Sequence, residues 1–200
     1  MTDEYLTIKE YAESSLKIKG SKFIGHVYPV SSRDVAESKI KTLREEYYDA
    51  THHCSAFRIG LGDQAIYHYD DDGEPSGTAG KPIYQAITGA EITNTLIIVT
   101  RYFGGTKLGT GGLIRAYGET AQNTIKSATL VRRILQESLS LQTTYEDISH
   151  VMRVIDQFDA SIAAQDYGEE INFTIRVRQS GMDEFKQQLI DQTAGRVILK

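Results

Sequence analysis

Hydrophobic and polar positions alternate near the start of the chain and then shift to a helical spacing. Residues 16–19 and 23–30 have the pattern of two strands joined at Gly20-Ser21. After Ser32, a good helix N-cap residue, apolar positions recur about once per helical turn as far as residue 47. Residues 52–60 alternate again and turn into a shorter strand-like segment, residues 65–70. The pattern therefore predicts two strands, a helix and a hairpin.

The strongest hydrophobic run is residues 96–99, which is short, aliphatic and uninterrupted. Such a run predicts a strand that is buried on both faces. Before it, residues 83–89 fit a short helix started by Pro82. After it, a glycine-rich loop leads into a second helical pattern from residue 110 to about residue 128, for which Thr110 is the predicted N-cap.

From residue 134 onward the pattern reads strand, helix, strand, strand, helix, strand. The predicted strands are 134–143, 161–167, 171–178 and 196–199, and the predicted helices are 145–158 and 182–193. This order is the split βαβ, or ferredoxin-like, arrangement. We therefore predict an α+β protein with two domains, residues 1–132 and residues 133–200.

Composition and charge narrow the class of protein. The chain has 200 residues, 40% hydrophobic content and a net charge of -5, which argues against a protein that coats nucleic acid indiscriminately. A single cysteine, Cys54, excludes an internal disulfide, and no stretch is apolar enough for a membrane span. The polar, acidic N-terminus does not resemble a signal peptide. We expect a cytoplasmic protein with no membrane partner.

Charge is distributed unevenly around the glycine-rich loop. No carboxylate occurs between Glu91 and Glu119, although this segment contains three cations. Helix N-termini favour anions, and glycine lets a backbone approach a partner closely. We predict an anion-binding or nucleic-acid-binding site here, unless the glycines only serve turns and the cations pair with distant acids. Its residues would be Arg101, Tyr102, Gly104, Gly105, Lys107, Gly109, Thr110, Gly111, Gly112 and Arg115.

An acidic loop follows the predicted hairpin, in residues 70–82. Its carboxylates repel each other unless cations, backbone amides or a hard metal ion offset them. The cations of the glycine-rich loop are the expected counterions, and three interpretations stay open: a magnesium site bridged to phosphate, a salt-bridged structural turn, or a partner-binding loop. The candidate residues are Asp70, Asp71, Asp72, Glu74, Ser76, Thr78 and Lys81.

Known phosphate-binding motifs do not match. Pro75 stands where a P-loop has its first glycine, and Pro82 replaces the metal-binding hydroxyl residue. In the glycine-rich loop, Ile114 replaces the third glycine of the dinucleotide-binding fingerprint. No G-x-S-x-G or H-E-x-x-H motif is present either. An enzymatic mechanism is therefore less favoured than binding.

His52, His53 and Cys54 open the alternating segment 52–60. Since neighbouring strand residues face opposite ways, His52 and Cys54 could share a ligand, whereas His53 could not. A zinc site would need a further ligand that the sequence does not supply, so a structural role is favoured. His52 and His53, together with Asp72, are also candidates for a general acid or base.

Two long segments, DDDGEPSGTAGKPI and VTRYFGGTKLGTGGLIRAYGETA, closely resemble the signature of the YigZ/IMPACT family, and ATHHC and FRIG resemble its preceding strand. The resemblance implies a first domain with the fold shared by a small-subunit ribosomal protein and the GHMP kinases. It implies a second domain like the last domain of elongation factor G. It also implies a role near translation, since eukaryotic relatives regulate the kinase that phosphorylates an initiation factor, through an added N-terminal domain that this sequence lacks.

Three hypotheses for function follow. In the first, a translation-associated protein contacts RNA or a ribosomal particle through the basic glycine-rich patch, with Tyr102 or Phe103 stacking on a base. In the second, a magnesium-dependent enzyme or binder acts on a small phosphorylated ligand. In the third, the sheet of the second domain binds a protein partner. The second domain carries most of the excess negative charge, so it binds nucleic acid alone only if Arg153, Arg176 and Arg178 cluster.

Overall fold

A computed structural model describes residues 3–200 and divides them into two compact units. The N-terminal unit is residues 5–133. The C-terminal unit is residues 134–200 together with Asp3 and Glu4, which the sequence-based division places in the first domain. Both units combine helices with sheets, which confirms the α+β class. No helix in residues 3–200 is long and apolar enough to cross a membrane.

The N-terminal unit is built on a five-stranded antiparallel sheet with the order β2-β3-β6-β4-β5. A separate two-stranded sheet pairs β1 with β7. The elements are β1 (Glu4–Ile8), β2 (Ala12–Ile18), β3 (Ser21–Pro29), α1 (Arg33–Glu46), β4 (His52–Ile59), β5 (Ile66–Asp70), α2 (Gly80–Gly89), β6 (Thr95–Tyr102), α3 (Thr110–Ser127) and β7 (Leu130–Ile134).

Both faces of the central strand β6 are buried, as predicted. Ile97 and Val99 pack in the core that contains the buried residues of α2 and α3. Leu96 and Ile98 pack in a second core with residues of α1. The side chains of β4 also alternate between the two cores. Cys54 packs in the first core, whereas the odd-numbered positions Phe57 and Ile59 pack in the second.

The observed starts of α1, α2 and α3 agree only in part with the predicted N-terminal residues. The hydroxyl of Ser32 accepts a hydrogen bond from Val35 N at 3.3 Å and caps α1, as predicted. The prediction for Thr110 was wrong, since Thr110 is the first helical residue of α3 and the N-cap is Gly109, at a φ of 72° that favours glycine. Pro82 is the third residue of α2 rather than the first. It fits there because the amides of the first helical turn have no intrahelical partner to lose.

The candidate segments lie at one end of the sheet. The register pairs Tyr102 at the end of β6 with β3, Arg101 with His52 at the start of β4, and Asp70 at the end of β5 with β4. Helix α2 begins against Asp70, and α3 follows β6 through the glycine loop, which we define as residues 103–112. The middle part of the acidic loop, residues 71–79 between β5 and α2, therefore lies at the same end of the sheet as the glycine loop.

The C-terminal unit confirms the predicted β-α-β-β-α-β order. Its sheet has the strand order β11-β8-β10-β9, and its two helices pack on one face over a shared apolar core. The elements are β8 (Gln136–Thr143), α4 (Ile148–Gln157), β9 (Ser161–Tyr167), β10 (Ile171–Arg178), α5 (Met182–Gln192) and β11 (Ile198–Leu199).

The opposite face of this sheet is polar. On β10, Ile171, Phe173, Ile175 and Val177 are buried in the core, so the alternate positions, which include Arg176, face outward. Their partners on β8 are hydroxyl and amide residues. Arg153 lies on α4, on the helical side of the sheet, so it does not cluster with the arginines of β10.

Candidate functional site

Asp71 organises the acidic loop by accepting backbone hydrogen bonds. Its carboxylate accepts from the amides of Gly77 at 2.7 Å, Ala79 at 3.0 Å and Gly80 at 2.9 Å. These amides lead into and begin α2, so the carboxylate also offsets the positive end of the helix dipole. Asp71 is therefore a cap for α2, with its oxygens engaged by the protein itself.

Glu74 and Arg101 form a buried ion pair between the acidic loop and β6. Arg101 is 5% exposed and Glu74 is 8% exposed. Nη1 of Arg101 donates to Oε1 of Glu74 at 2.5 Å, and the hydroxyl of Tyr117 donates to the same oxygen at 2.8 Å. Burial raises the pKa of the Tyr117 phenol, which keeps it in the donating form. The pair joins three segments of the N-terminal unit, namely the acidic loop, β6 and α3.

Arg101 is also enclosed by aromatic rings. Its guanidinium carbon lies 5.4 Å from the ring centroids of both Phe23 and Phe103. Nη2 donates to the hydroxyl of Ser21 at 3.4 Å, while the buried Nε has no hydrogen-bond partner within residues 3–200. Of the predicted anion-binding residues, Arg101 is thus the one whose charge is directed into the fold.

His52 and Cys54 share the face of β4 that meets the acidic loop. Nδ1 of His52 donates to the carbonyl of Asp72 at 2.7 Å, and its Nε2 lies 3.9 Å from Oε1 of Glu74. The thiol of Cys54 donates to the carbonyl of Asp71 at 3.1 Å, and burial raises its pKa, so the thiol stays protonated. These contacts anchor the acidic loop to the sheet.

His53 faces the other side of the sheet, as the strand alternation predicts. Nε2 donates to the carbonyl of Tyr47 at 3.2 Å, and Nδ1 accepts from the hydroxyl of Thr100 at 3.1 Å. Burial lowers the pKa of His53, which favours the neutral ring that this arrangement needs. As a candidate acid or base, it is therefore separated from His52 by the sheet.

The remaining acids of the loop pair with α1, which the sequence did not indicate. Nη2 of Arg44 lies 2.6 Å from Oδ1 of Asp72 and 3.8 Å from Oδ2 of Asp70. The other oxygen of Asp72 accepts from the amide of His53 at 2.5 Å. Of the counterions predicted for the acidic loop, only Arg101 pairs with it in residues 3–200, and Arg44 takes the place expected for Lys107 and Arg115.

The other candidates of the acidic loop divide into one buried residue and two exposed ones. Thr78 is buried, and its hydroxyl donates to the carbonyl of Pro75 at 2.7 Å. Ser76 and Lys81 are exposed. Within the part of the chain that the structure describes, no group of three or more histidine, cysteine, aspartate or glutamate side chains is arranged to hold a metal ion.

The base of the glycine loop is fixed by close packing. A Cβ at Gly104 would lie 1.9 Å from the carbonyl carbon of Gly20, in the turn between β2 and β3. The amide of Gly104 donates to the hydroxyl of Ser21 at 3.1 Å. Gly105 has a φ of 84°, in the left-handed region that favours glycine. The first two glycines of the loop are therefore explained by backbone geometry.

The outer part of the glycine loop is open to solvent. Lys107, Thr110, Gly111 and Arg115 are exposed, and a Cβ at Gly105, Gly109 or Gly111 would meet nothing within 4 Å. Lys107 and Arg115 form no ion pair with any residue in 3–200. Within residues 3–200, no side chain caps α3. The structure thus places two cations without an ion pair and a helix start without a side-chain cap on the glycine loop and the first two turns of α3.

Tyr102 is only partly exposed and is held by a carboxylate. Its hydroxyl donates to Asp49 at 2.7 Å, and this hydrogen bond raises the pKa of Tyr102 to about 12. The neighbouring Phe103 is 46% exposed and covers Arg101.

The sequence analysis did not identify four residues that contact the candidate site, namely Asp49, Ser21, Arg44 and Tyr117. Only Tyr117 gave a signal, since it lies at a core position of the helical pattern and carries a hydroxyl that needs a partner when buried.

Comparison with known proteins identifies the family. Residues 19–125 match the model of the Impact N-terminal domain, and residues 141–196 match a Domain of unknown function (DUF1949). The chain is 34% identical to the IMPACT family member YvyE of Bacillus subtilis, across 100% of this chain and 92% of that protein. It is 32% identical to the IMPACT family member YigZ of Escherichia coli, across 90% and 88% of the two chains.

A solved structure shows the same fold. The crystal structure of a hypothetical protein, 29% identical to this chain, superposes with a TM-score of 0.72 and covers 100% of this chain and 97% of its own. The two signature segments noted in the sequence are the acidic loop with the start of α2 and the glycine loop with its flanking β6 and α3. The chain belongs to the IMPACT family.

Proposed function

We propose that this protein is a translation-associated binding protein that contacts RNA or a ribosomal particle through the open start of α3. We call this area the basic loop surface and define it as Lys107, Arg115 and the backbone of residues 109–112. The association with translation rests on the family resemblance, and the binding mode rests on the geometry of the N-terminal unit.

The observation that carries the proposal is the combination of free cations with free amides. Lys107 and Arg115 have no acidic partner in residues 3–200, and no carboxylate lies in the sequence between Glu91 and Glu119. Among the residues that the structure describes, no side chain caps the amides at the start of α3. Cations at a helix N-terminus oppose the dipole unless an anion joins them, so a phosphate group would satisfy both.

The proposal uses fewer residues than the sequence-based prediction, because some of these side chains have partners within the protein. Arg101 is buried against Glu74, and Tyr102 is tied to Asp49, so neither belongs to the basic loop surface. Gly104 and Gly105 shape the loop. Phosphate contacts alone carry no sequence information, so we expect binding through this surface to depend on salt and to discriminate little between sequences.

Fluorescence anisotropy with structured ribosomal RNA tests the proposal. We expect the double variant Lys107→Glu with Arg115→Glu to bind weakly. We also expect its plot of log binding constant against log salt concentration to be less steep by about two units, because each phosphate contact contributes about 0.9 to that slope. The matched control is Lys9→Glu with Lys126→Glu, which makes the same charge change on exposed side chains at the far end of α3. Equal binding by the two double variants would contradict the proposal.

The acidic loop does not support the alternative, which is a magnesium-dependent enzyme or binder of a small phosphorylated ligand. Asp71 is bonded to amides, Glu74 to Arg101 and Tyr117, and Asp72 to Arg44. The same anisotropy experiment addresses a small ligand, since millimolar nucleotide or inorganic phosphate would then displace the RNA in a magnesium-dependent way. Displacement by salt alone supports the RNA proposal.

The hypothesis of a protein partner on the C-terminal sheet predicts an uncovered apolar face. The outward positions of β8 and β10 are instead polar, with Ser138, Ser140, Thr174 and Arg176 among them. We therefore assign the function to the N-terminal unit.

A further inference from the structure

We propose that a second surface of the N-terminal unit, separate from the basic loop surface, stacks the bases of single-stranded RNA. We call it the tyrosine face and define it as Tyr67, Tyr69 and Tyr84, with Arg58 and Lys81 beside them. This inference rests on the proposed function, because it takes RNA as the ligand. It adds a class of RNA, unpaired strands, and residues that lie outside the signature segments except for Lys81.

The three rings form a layer at the edge of the sheet. Tyr67 and Tyr69 are 60% and 41% exposed, and both project from the same face of β5 because they are two residues apart. Tyr84 of α2 lies under them, with ring centroids 4.9 Å from Tyr67 and 6.0 Å from Tyr69. The Tyr67 and Tyr84 rings are stacked at an interplanar angle of 26°.

Both exposed rings belong to an edge strand. All five residues of β5 are exposed, and within residues 3–200 this strand pairs only with β4, so it forms an edge of the sheet. Two large rings that stay in water while a third ring holds them in place are pre-ordered for stacking. A base that stacks on them immobilises little additional side-chain freedom.

Two cations neighbour the rings through the strand pairing and along the helix. Arg58 is the cross-strand partner of Tyr67 and shares its face of the sheet, and Lys81 lies one turn before Tyr84 on α2. Neither forms an ion pair with any residue of the described chain. The carboxylate of β5, Asp70, belongs to the opposite face, where Arg44 lies 3.8 Å from it.

This combination matches what single-stranded nucleic acid needs. Bases in single strands can be splayed apart and stacked on aromatic side chains, whereas bases in a duplex cannot. Side chains two residues apart on a strand are separated by about 6.6 Å, which leaves room for one base at each tyrosine. An extended peptide that pairs with the edge of β5 would use the backbone of the strand, and it would leave Arg58 and Lys81 without a function.

The absence of tryptophan from the sequence provides a direct test. The variant Tyr67→Trp keeps an aromatic ring at the site and adds a single fluorophore. We expect its emission to be quenched by a single-stranded ten-nucleotide RNA and unchanged by the same RNA in a duplex. Tyr145→Trp is the control, because Tyr145 belongs to the C-terminal unit, is 56% exposed and makes no ring stacking contact with the residues described. Equal quenching of both reporters, or of neither, would overturn the inference.

Affinity measurements separate the two surfaces. We expect Tyr67→Thr with Tyr69→Thr to weaken single-strand binding by about tenfold per ring without changing the salt slope, and Tyr145→Thr to have no effect. Threonine suits a strand, and circular dichroism confirms folding. If the Tyr67 and Tyr69 variant binds like wild type while Lys107→Glu with Arg115→Glu does not, the tyrosine face is wrong and the proposed function stands. The reverse result removes the basic loop surface and keeps the tyrosine face, and a wild type that binds no RNA removes both.

Discussion

Helices α2 and α3 begin at the same end of the same sheet, yet their first amides have opposite surroundings. At α2, the Asp71 carboxylate accepts three backbone hydrogen bonds. At α3, Gly109 provides the cap position, and within residues 3–200 no side chain accepts from the first amides of the helix. The protein supplies a carboxylate acceptor at one helix start and none at the other. The difference favours a structural role for the acidic loop, and it is the basis on which we propose the glycine loop as the anion site.

The charges around the two helix starts follow the same division. The acids of the acidic loop are neutralised by Arg44, Arg101 and backbone amides. The cations of the basic loop surface, Lys107 and Arg115, remain exposed and unpaired within residues 3–200. Four substitutions test this contrast, two in the packed framework and one at each helix start.

The largest expected effect on stability comes from Arg101, which contacts Glu74 of the acidic loop and Phe103 of the glycine loop. Arg101→Leu leaves the Glu74 carboxylate buried without its cation, and we expect a loss of about 3–5 kcal/mol in the free energy of unfolding. Urea denaturation measures this value. If Arg101 instead served mainly to bind an exposed anion, the free energy of unfolding would change by less than about 1 kcal/mol.

A double-mutant cycle identifies the cause of that loss. In Arg101→Leu with Glu74→Leu, no charge is left uncompensated, so we expect the double variant to be more stable than Arg101→Leu alone. Additive losses would mean that packing, and not the ion pair, holds the two loops. Arg115→Leu serves as the matched arginine control, and its effect should stay within about 0.5 kcal/mol because Arg115 is exposed.

The next effect concerns the base of the glycine loop. At Gly104, a methyl group would lie 1.9 Å from the backbone of Gly20, so we expect Gly104→Ala to cost about 2–3 kcal/mol of stability. Gly111→Ala is the matched control, because its Cβ would meet nothing within 4 Å and alanine favours the helix. Thermal unfolding of the two variants gives the comparison. Equal melting temperatures would show that the turn between β2 and β3 yields freely.

The sequence predicts much of this arrangement because its signals are local. The alternation of β4 and β6 identifies which residues share a face, and the helical spacing of α3 identifies its buried side. The same alternation could have placed Arg101 correctly, since it has the parity of Ile97 and Val99, which face the core under α2 and α3. The charge of Arg101 suggested a surface position, but parity with the buried positions of β6 determines its direction.

Other parts of the site depend on distances between segments that no local pattern encodes. The pairing of Asp72 with Arg44 joins the acidic loop to α1, which lies earlier in the chain. The use of the Asp71 carboxylate by amides requires the loop to fold back on itself. The boundary of α3 was missed by one residue because threonine and glycine are both acceptable at an N-cap. Backbone conformation, here a positive φ at Gly109, decided between them.

The start of α2, where Asp71 accepts from the backbone, gives a moderate expected effect. Asp71→Ala removes the acceptor for three amides at the beginning of α2, and loss of a helix cap typically costs about 1–2 kcal/mol. Urea denaturation measures the change, and hydrogen exchange at residues 77–80 reports where it occurs. Asp71→Asn should lie between the wild type and Asp71→Ala, because its one amide oxygen can still accept from Ala79 and Gly80 while its amide nitrogen cannot accept from Gly77. If Asp71→Ala left the exchange of these amides unchanged, the carboxylate would not be the cap.

The open helix start gives the smallest expected effect, and it is the sharpest test of the contrast. Thr110→Ala removes a side chain that caps nothing, and alanine favours a helix, so we expect a change in unfolding free energy within about 0.5 kcal/mol. The same urea experiment compares it directly with Asp71→Ala. A loss as large as that of Asp71→Ala would mean that the Thr110 hydroxyl satisfies the amides of α3 in solution. The α3 start would then be closed like that of α2, and the anion-binding role of the glycine loop would lose its physical basis.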